Sequence, residues 1–422
     1  MRDRTRLSVA VSYGAFVLVG IVAGVSGPLL PAQMADYGVG RATIGIVFFT
    51  FSAGFMSAGS TVGALIHRFG TRVTLIAGIT AVVLAALCMG IRPAFAGLVG
   101  VEPVLGYGSG VIESVLDTHL TRLPQTAQRL NRLHAFFGVG ALLGPLLATG
   151  ILRSGPWPRV WLMIALLHVP LLFAVQLTFP GAGRRVARPA PLAAATAAAL
   201  EPPAPADTPG RGLIAAALRN PGILLGALFL SVYVGLESSL GNWGFSFLVA
   251  GRDQSELLAG YMISGYWLGL TMGRFVIAPL SARAGLREVG MTYLCLAGVF
   301  AACGLVWLGS GPAASSAGFA VLGFFLGPLF PTTMALTPQL AEPRLVPTAI
   351  GVINGVSVIG GSALPWLAGA IGQSSGISTL LPYCIGLNAV LLLLWWRTAR
   401  HVPASRAEPT AENRYAPARR CG

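Results

Sequence analysis

Residues 65–72 read LIHRFGTR, and residues 280–287 read LSARAGLR. The two stretches share Leu, Arg, Gly and Arg at an offset of 215 residues. A second match lies at an offset of 220 residues and pairs His134, Gly140, Pro145 and Leu147 with Asn354, Gly360, Pro365 and Leu367. Two matches at nearly the same offset predict that the chain contains two copies of one structural unit.

The composition places both copies in a membrane. Hydrophobic residues make up 55% of the 422-residue chain and charged residues only 10%, whereas about a quarter of the residues in a soluble globular protein are charged. A helix needs about 20 predominantly apolar residues to cross the hydrocarbon layer. Twelve stretches meet this requirement, near residues 7–30, 43–66, 71–90, 95–119, 131–152, 159–179, 220–249, 256–281, 288–309, 315–338, 346–371 and 377–397.

The twelve predicted spans divide into two groups of six. Between the groups lies a stretch rich in Pro, Ala and Arg, from Pro180 to Gly212, and this composition is typical of a disordered linker. We therefore predict an all-α membrane protein with twelve transmembrane helices in two pseudo-symmetric six-helix halves. Its predicted parts are residues 1–179 for the first half, 180–219 for a disordered cytoplasmic linker, 220–397 for the second half and 398–422 for a cytoplasmic tail.

The positive charge of the chain indicates its orientation. The formal net charge is +14, and every one of the 28 Lys and Arg residues is an arginine. If the N-terminus is cytoplasmic and the spans alternate, 22 arginines fall in cytoplasmic segments and five in external ones. This bias is the positive-inside pattern, so both termini are predicted to face the cytoplasm from a multi-pass protein of the cytoplasmic membrane. Because topology accounts for the charge, no nucleic-acid partner is expected.

The loop between spans two and three resembles the signature of the major facilitator superfamily, G-x-x-x-D-R-x-G-R. Gly63, Arg68, Gly70 and Arg72 stand for its glycines and arginines, and His67 replaces the family aspartate. The resemblance extends over essentially the whole chain outside the linker and tails, and it implies the major facilitator fold with a binding site between the halves. It also implies that this loop and its copy gate the cytoplasmic side. The residues of the copy are Arg283, Gly285 and Arg287.

Within the superfamily, five stretches are similar to those of fucose permease-like sugar porters. They are GVIESV at 110–115, RLNRLHAFFGVGALLGP at 129–145, YVGLESSLGNW at 233–243, SGYWLGLTMGR at 264–274 and GPLFPT at 327–332. The likeness implies that the substrate is a sugar or a sugar-like solute. Span one contains no acid, in contrast to the aspartate that such porters carry there.

An acidic stripe runs along the predicted fourth span. Gly106, Gly110, Glu113 and Asp117 recur at steps of four, three and four and therefore share one helix face. Glycines on such a face leave room for a solute or allow close packing against another helix. At an offset of 217, the tenth span has Gly323, Gly327, Phe330 and Met334. One titratable wall and one apolar wall suit an amphipathic substrate such as a sugar.

Carboxyl groups within the spans predict proton coupling. A carboxylate at mid-membrane costs on the order of 3 kcal/mol, and burial away from water favours its protonated form. Glu113 matches the glutamate of the sugar-porter pattern, and Glu237 lies in span seven. We predict that Glu113, Glu237 and Asp117 carry protons; a structural ion pair or hydrogen bond is the alternative for each, and Asp117 could also be a solvated interfacial acid.

The remaining predicted site residues line the cavity or gate it. Arg274, the base within span eight, is expected to balance one of the acids or to gate the cytoplasmic seam. Predicted substrate contacts come from acids, amides and aromatic rings on the spans that the family places around the cavity. They are Glu113, Tyr233, Glu237, Asn242, Trp243, Trp267, Phe330 and Asn354.

These features favour a secondary active transporter that moves a small polar solute by alternating access, most simply as a proton symporter. A proton-driven efflux pump for amphipathic drugs would use the same features, and a non-transporting membrane sensor would keep the same fold. No H-E-x-x-H, G-x-S-x-G or phosphate-loop motif indicates an enzyme. The five scattered cysteines indicate neither disulfides nor a metal site. The expected partners are the solute, protons and the lipid bilayer, without a cofactor, and a monomer is expected.

Overall fold

The apolar runs form long helices in the computed structural model, which describes residues 2–179, 211–309 and 311–402. The long helices of the first half are Arg2–Tyr37, Ile46–Gly90, Phe95–Thr121, Thr126–Leu152 and Pro158–Thr178. Those of the second half are Pro221–Ser246, Glu256–Arg283, Glu288–Leu308, Gly311–Leu326 with Leu329–Leu340, Val346–Ser375 and Leu380–Ala399. Shorter helical segments cover Arg41–Ile44, Arg211–Arg219, Phe247–Gly251, Pro343–Leu345 and Ile377–Thr379.

A glycine divides the longest helix into two membrane crossings. Ile46–Gly90 contains predicted spans two and three, and it is interrupted at Gly70, which has φ 79° and ψ 163°. Its counterpart in the second copy, Gly285, has φ 72°. Residues that carry a Cβ atom rarely adopt a backbone conformation with positive φ, whereas glycine does so without steric cost. The glycines of the repeated loop motif are therefore explained by the backbone that each loop requires.

Ten helical segments of the described chain are long and apolar enough to cross a membrane. One of them, Arg41–Gly90, holds spans two and three. Glu256–Arg283 is not among the ten, because Arg274 and several Gly and Tyr residues lower its hydropathy, but its 28 residues extend about 42 Å. All twelve predicted spans thus correspond to helices, and the predicted all-α fold is confirmed.

The two halves pack their helices in the same pattern. Span one packs against span five, and span seven packs against span eleven. Span two likewise contacts span four, as span eight contacts span ten. The halves meet where span one touches span seven, span two touches span eleven and span five touches span eight. This arrangement is the duplicated six-helix unit that the sequence repeats predicted.

Glycines allow the closest of these contacts. A Cβ atom on Gly140 would collide with the carbonyl oxygen of Val17, and one on Gly360 would collide with that of Ser231. The stripe glycines behave in the same way, since Gly106 lies against the Phe51 carbonyl in span two. Small residues let helix backbones approach one another inside a membrane. The stripe glycines of span four therefore serve helix packing, which was one of their two predicted roles.

Span ten is broken at its glycine–proline pair. The helix Gly311–Leu326 ends just before Gly327, and a second helix begins at Leu329. Pro328 cannot donate a backbone hydrogen bond, and a Cβ on Gly327 would collide with the Leu270 carbonyl of span eight. The glycine–proline pair therefore divides span ten into two helices at this position.

The predicted linker is wrong at its C-terminal end. We expected disorder over 180–219, but Arg211–Arg219 forms a helix, while 180–210 lies outside the described residues. In this helix Ala217 is buried and Ile214 is half exposed, so it is amphipathic and lies beside span seven. Asn220 then caps span seven by accepting hydrogen bonds from the following backbone N–H groups.

Equivalent glycines in the two halves should show equivalent sensitivity. We expect Gly140→Ala and Gly360→Ala each to destabilise the protein by about 1–3 kcal/mol, because the new methyl group overpacks against a carbonyl. Thermal unfolding in detergent measures the effect. Gly150→Ala and Gly351→Ala are matched controls in the same two helices, since nothing lies within 4 Å of a Cβ there. Equal stability of all four variants would contradict the packing assignment.

Candidate functional site

A cavity of about 290 Å³ lies between the two halves, at the small end of the range for ligand pockets. Spans one, two, four and six of the first half and spans seven, eight and eleven of the second contribute its walls. Aliphatic and phenylalanine side chains form most of the lining. The polar residues among them are Ser26, Gln33, Ser52, Glu102, Trp161, Ser238, Asn242 and Trp267.

Glu102 provides the carboxyl group of this cavity. It is 8% exposed, and it has no hydrogen bond or ion pair with any residue that the structure describes. Glu102 was not among the predicted site residues, although it lies within the predicted fourth span. The periodic stripe of the fourth span instead pointed to Glu113 and Asp117, and the glycines of that stripe, Gly106 and Gly110, face span two. Glu102 could have been found by the criterion that selected Glu113, namely an acid inside an apolar run.

Two indole rings of the cavity wall have N–H groups without a partner. The ring N–H groups of Trp161 and Trp267 are buried and have no hydrogen-bond acceptor among the described residues. Leaving a buried donor without an acceptor costs about 1–3 kcal/mol of folding free energy. Such a donor therefore usually binds a ligand or a water molecule, or marks a strained site. Together with the amides of Gln33 and Asn242, the cavity offers both donors and acceptors to a polar solute. Gln33 was missed because the first helix continues beyond the predicted end at residue 30.

One face of the bundle is sealed by contacts between the halves. We call it the distal face; it carries the loop around Arg41, and the opposite, terminal face carries both ends of the described chain. Arg41 donates a hydrogen bond to the Gly372 carbonyl (3.0 Å), and the Ala42 N–H donates to Gln373 Oε1 (2.9 Å). The Trp366 indole donates to the Ala42 carbonyl (3.1 Å). These three bonds, the distal seal, are the described hydrogen bonds that join the halves.

Aromatic rings close the cavity beneath the distal seal. Phe48 lies edge-on to Trp243 with ring centroids 6.2 Å apart, and Phe49 lies edge-on to Trp366 at 5.9 Å. Gly27 of span one meets the backbone of Gly241 in span seven, where a Cβ would approach the carbonyl oxygen to 2.5 Å. The halves are therefore closed against each other on the distal side.

The predicted substrate contacts divide between the cavity and its surroundings. Asn242 and Trp267 line the cavity. Trp243 does not, because it is fully buried and donates its indole N–H to the Pro365 carbonyl (2.7 Å). Tyr233 is also fully buried, and its ring lies 6.4 Å from that of Phe330. These two aromatic side chains and Phe330 pack behind the cavity wall.

The lone base of span eight faces an acid of span seven. Arg274 Nη2 lies 4.0 Å from Glu237 Oε1, and the two side chains are 24% and 16% exposed. The structure thus identifies the partner that the sequence left open. Tyr266 holds the same turn by donating its hydroxyl hydrogen to the Glu237 backbone carbonyl (3.1 Å).

The acidic stripe lies outside the cavity on the side of the terminal face. Asp117 Oδ1 lies 3.7 Å from His134 Nε2, whereas Glu113 is half-buried and has no hydrogen bond or ion pair within the described ranges. Arg274 is within electrostatic reach of His134. Ionisable groups of spans four, five, seven and eight therefore lie near one another at the seam between the halves. Asn354, predicted to bind substrate, is exposed.

The predicted gating loops do not join the halves in this conformation. Arg72 donates from Nε to Gln176 Oε1 (2.7 Å), a contact within the first half. Arg68 lies 5.2 Å from the centre of the neighbouring Phe69 ring. Gly63 and His67 are exposed, as are Arg283 and Arg287 of the second copy. A gating role for these loops therefore belongs to another conformation and stays a prediction.

We expect the distal seal to control which face is open. Trp366→Phe keeps the ring but removes one hydrogen bond worth about 1 kcal/mol, which should shift the equilibrium toward distal opening about fivefold. In a cysteine-free background with Ser238→Cys in the cavity wall, alkylation by an impermeant maleimide added from the distal side should accelerate accordingly. Trp307→Phe is the control, because Trp307 is 46% exposed on span nine and far from the seal in sequence. Unchanged labelling in Trp366→Phe would refute the assignment.

The Glu237–Arg274 pair should be energetically coupled. We expect Glu237→Gln and Arg274→Met each to destabilise the protein, with the double variant recovering about 0.5–3 kcal/mol of the summed loss. Unfolding in detergent measures this double-mutant cycle. The control cycle uses Glu342 and Arg344, a pair of side chains 61% and 74% exposed, whose coupling should stay below about 1 kcal/mol. Additive effects at Glu237 and Arg274 would show that the two charges do not interact.

Three curated relatives align with most of the chain. Bypass of stop codon protein 6 of Saccharomyces cerevisiae is 26% identical over 90% of this chain and 80% of its own length. The glucose/mannose transporter GlcP of Bacillus subtilis is 20% identical, covering 85% of this chain and 86% of the relative. The multidrug efflux protein YfmO of the same bacterium is 26% identical, covering 86% and 85%.

Solved structures share the fold at low sequence identity. The nucleoside transporter NupG superimposes with a TM-score of 0.72 and 13% identity, over 94% of this chain and all of that structure. A bacterial homologue of the human lysosomal transporter Spinster, solved in an inward-facing and unoccupied conformation, gives 0.70 and 12%, over 96% and 99%. The family profile described as Major Facilitator Superfamily matches residues 13–252 and 238–420. With two matching halves and a central cavity, the chain belongs to the Major Facilitator Superfamily.

Proposed function

We propose that this membrane transporter moves a sugar or a similar small polyol and couples the movement to protons. Glu102 carries the proposal, because it is a buried carboxyl group without a described partner and it lines the cavity between the halves. The unused indole donors of Trp161 and Trp267 lie around the same space. Sugars present hydroxyl groups to donors and acceptors and a C–H face to aromatic rings, and the cavity contains all three.

Relatives and cavity size agree with this substrate class. One curated relative is a glucose/mannose transporter, and a second, from Brucella abortus, is a glucose/galactose transporter. A volume of about 290 Å³ suits a compact solute better than a large one. Gln33 and Asn242 are the amides that we propose to recognise its hydroxyl groups, with Trp267 packing on its apolar face.

Coupling follows from the energetics of the carboxyl group. An ionised Glu102 is costly in a dry, closed cavity, whereas its protonated form is tolerated there. Opening to water lowers the cost of ionisation, so the proton can leave on the side that opens. In this proposal Glu102 carries a proton together with substrate, and Glu113, Asp117 and Glu237 form the proton path toward the terminal face. The positive-inside bias supports a cytoplasmic terminal face. With that orientation, a symporter driven by an inward proton gradient imports its substrate, and we propose that it acts as a monomer.

Alternating access would use the two sets of contacts at opposite faces. In the proposed orientation the distal face is external, and the distal seal would keep that side closed in this conformation. In the opposite conformation the repeated loops, which carry Arg68 and Arg72 in one copy and Arg283 and Arg287 in the other, would close the cytoplasmic side. Arg274 would exchange partners along the seam as spans five and eight move. Each half stays rigid, because glycine contacts lock its helices together.

A second candidate is proton-driven efflux of amphipathic compounds. The observation in its favour is the cavity wall, where Phe48, Phe51 and Phe55 of span two stand beside many aliphatic residues. The relative YfmO is a multidrug efflux protein. The polar groups opposite span two, however, give the cavity more hydrogen-bonding capacity than apolar drugs require. A membrane sensor without transport is the third candidate and predicts that reconstituted protein moves nothing.

Reconstitution under an imposed proton gradient tests the proposal. We expect native protein to accumulate one of a panel of hexoses and polyols, and Glu102→Gln to abolish uphill accumulation while keeping exchange of bound solute. Exchange survives because a neutral amide mimics the protonated acid. Glu288→Gln, which changes an exposed acid at the start of span nine, should behave like the native protein. Uphill accumulation by Glu102→Gln would rule out this residue as the coupling group.

The same vesicles separate the candidate functions. Asn242→Ala and Gln33→Ala should raise the KM for the transported sugar about tenfold or more, because each removes a hydrogen-bonding group from a dry site. Ser238→Ala, a smaller change in the same cavity wall, should raise the KM less. Extrusion of lipophilic cations without any sugar movement would establish efflux instead. Transport of neither class would favour the sensor.

A further inference from the structure

A second concavity lies on the membrane-facing surface, away from the substrate cavity. It is a crevice of about 480 Å³ between the beginning of span seven and the end of span twelve, on the terminal face. We call this concavity the basic crevice, and its lining consists of apolar and basic residues. The apolar residues are Pro221, Leu224, Leu225 and Leu228, and the basic residues are Arg397, Arg400 and His401. None of them takes part in the proposed transport mechanism.

The two arginines at the rim of the basic crevice have no acidic partner among the described residues. Arg400 lies 3.7 Å from the centre of the Trp396 ring, and Arg397 lies 5.2 Å from the same ring. Both arginines are exposed, and neither forms an ion pair with a carboxylate anywhere in the described chain. Stacking on an indole restrains a guanidinium group while its N–H donors remain available. The rim therefore holds two restrained cations beside a histidine.

The floor of the crevice is aliphatic and open to lipid. Leu224 is 37% exposed and Leu228 is 49% exposed, and they lie one turn apart on span seven. The crevice sits where span seven begins and span twelve ends, which is the boundary between hydrocarbon and headgroups in a membrane. Its floor therefore faces acyl chains while its rim faces the headgroup layer.

We propose that the basic crevice binds one anionic phospholipid, whose phosphate group pairs with Arg397 and Arg400. Guanidinium groups bind phosphate oxygens in a bidentate manner, and basic pockets at the ends of transmembrane helices attract anionic headgroups. The leucine floor selects a lipid over a free phosphate ion, because only the lipid has an acyl chain to cover Leu224 and Leu228. This site is independent of the substrate cavity, so it holds whichever solute the protein moves.

Thermal unfolding of the full chain in detergent tests the proposal. We expect phosphatidylglycerol to raise the Tm above the value in phosphatidylcholine, and Arg397→Gln with Arg400→Gln to remove that difference. The double variant should bind phosphatidylglycerol at least about tenfold more weakly. Arg283→Gln with Arg287→Gln is the matched control, because it removes two exposed arginines of the same face that lie outside the crevice. If both double variants lost the rise in Tm with phosphatidylglycerol, the rise would reflect the total positive charge of the protein, and the proposed lipid site would be wrong.

Three further experiments identify which molecule fills the basic crevice. Inorganic phosphate should give no comparable rise in Tm; an equal rise would overturn the lipid assignment in favour of a free-anion site. A response to lipid that appears only after removal of residues 403–422 would show that the tail fills the crevice, which also overturns it. If the glutamine variants fail to fold, brominated phosphatidylglycerol should quench native protein more than Trp396→Phe, with brominated phosphatidylcholine showing no such difference. Equal quenching by the two lipids would refute selectivity for the anion.

Discussion

Close contact between glycine and a neighbouring carbonyl group is the interaction on which each half depends. Lipid removes the hydrophobic force between helices, so association rests on packing and hydrogen bonds. Gly140 meets span one and Gly360 meets span seven at equivalent positions, and the stripe glycines repeat the arrangement between spans four and two and between spans ten and eight. The halves meet through the distal seal, through aromatic contacts and through Gly27 of span one, which lies against the Gly241 carbonyl of span seven.

The duplication also explains why polarity is unequal across the cavity. At the offset of 217 residues that aligns the stripe glycines, Glu102 corresponds to Phe319, which is fully buried and packs on Phe247. The first half thus contributes the carboxyl group, whereas each half contributes an amide and an indole ring, Gln33 and Trp161 from the first and Asn242 and Trp267 from the second. A solute bound between them is contacted by both halves, so its binding is sensitive to their relative position. Two identical walls would have lacked this division of chemistry.

The sequence predicted the parts of the structure that depend on local pattern. Apolar length located the twelve spans, and the repeated loop motif located Gly70 and Gly285 at their left-handed turns. The candidate site was harder to predict than the spans. Helical periodicity shows which residues share a helix face, but it does not show which face points into the cavity between the halves. That rotation is set by neighbouring helices, so Glu113 was chosen ahead of Glu102. The Glu237 partner of Arg274 depends on a contact between two helices, which a single sequence does not reveal.

The energies of the seal and of the carboxyl group are comparable, and this equality makes coupling physically reasonable. Three hydrogen bonds at about 1 kcal/mol net each give the distal seal roughly 3 kcal/mol. An ionised carboxyl group at depth in a membrane costs on the order of 3 kcal/mol. In the proposed mechanism an ionised Glu102 in a cavity closed to water would cost about as much free energy as the distal seal supplies, so that protonation of Glu102 would favour closure. A much stronger seal would hold the halves shut whatever the charge on Glu102, and a much weaker one would let solute leak.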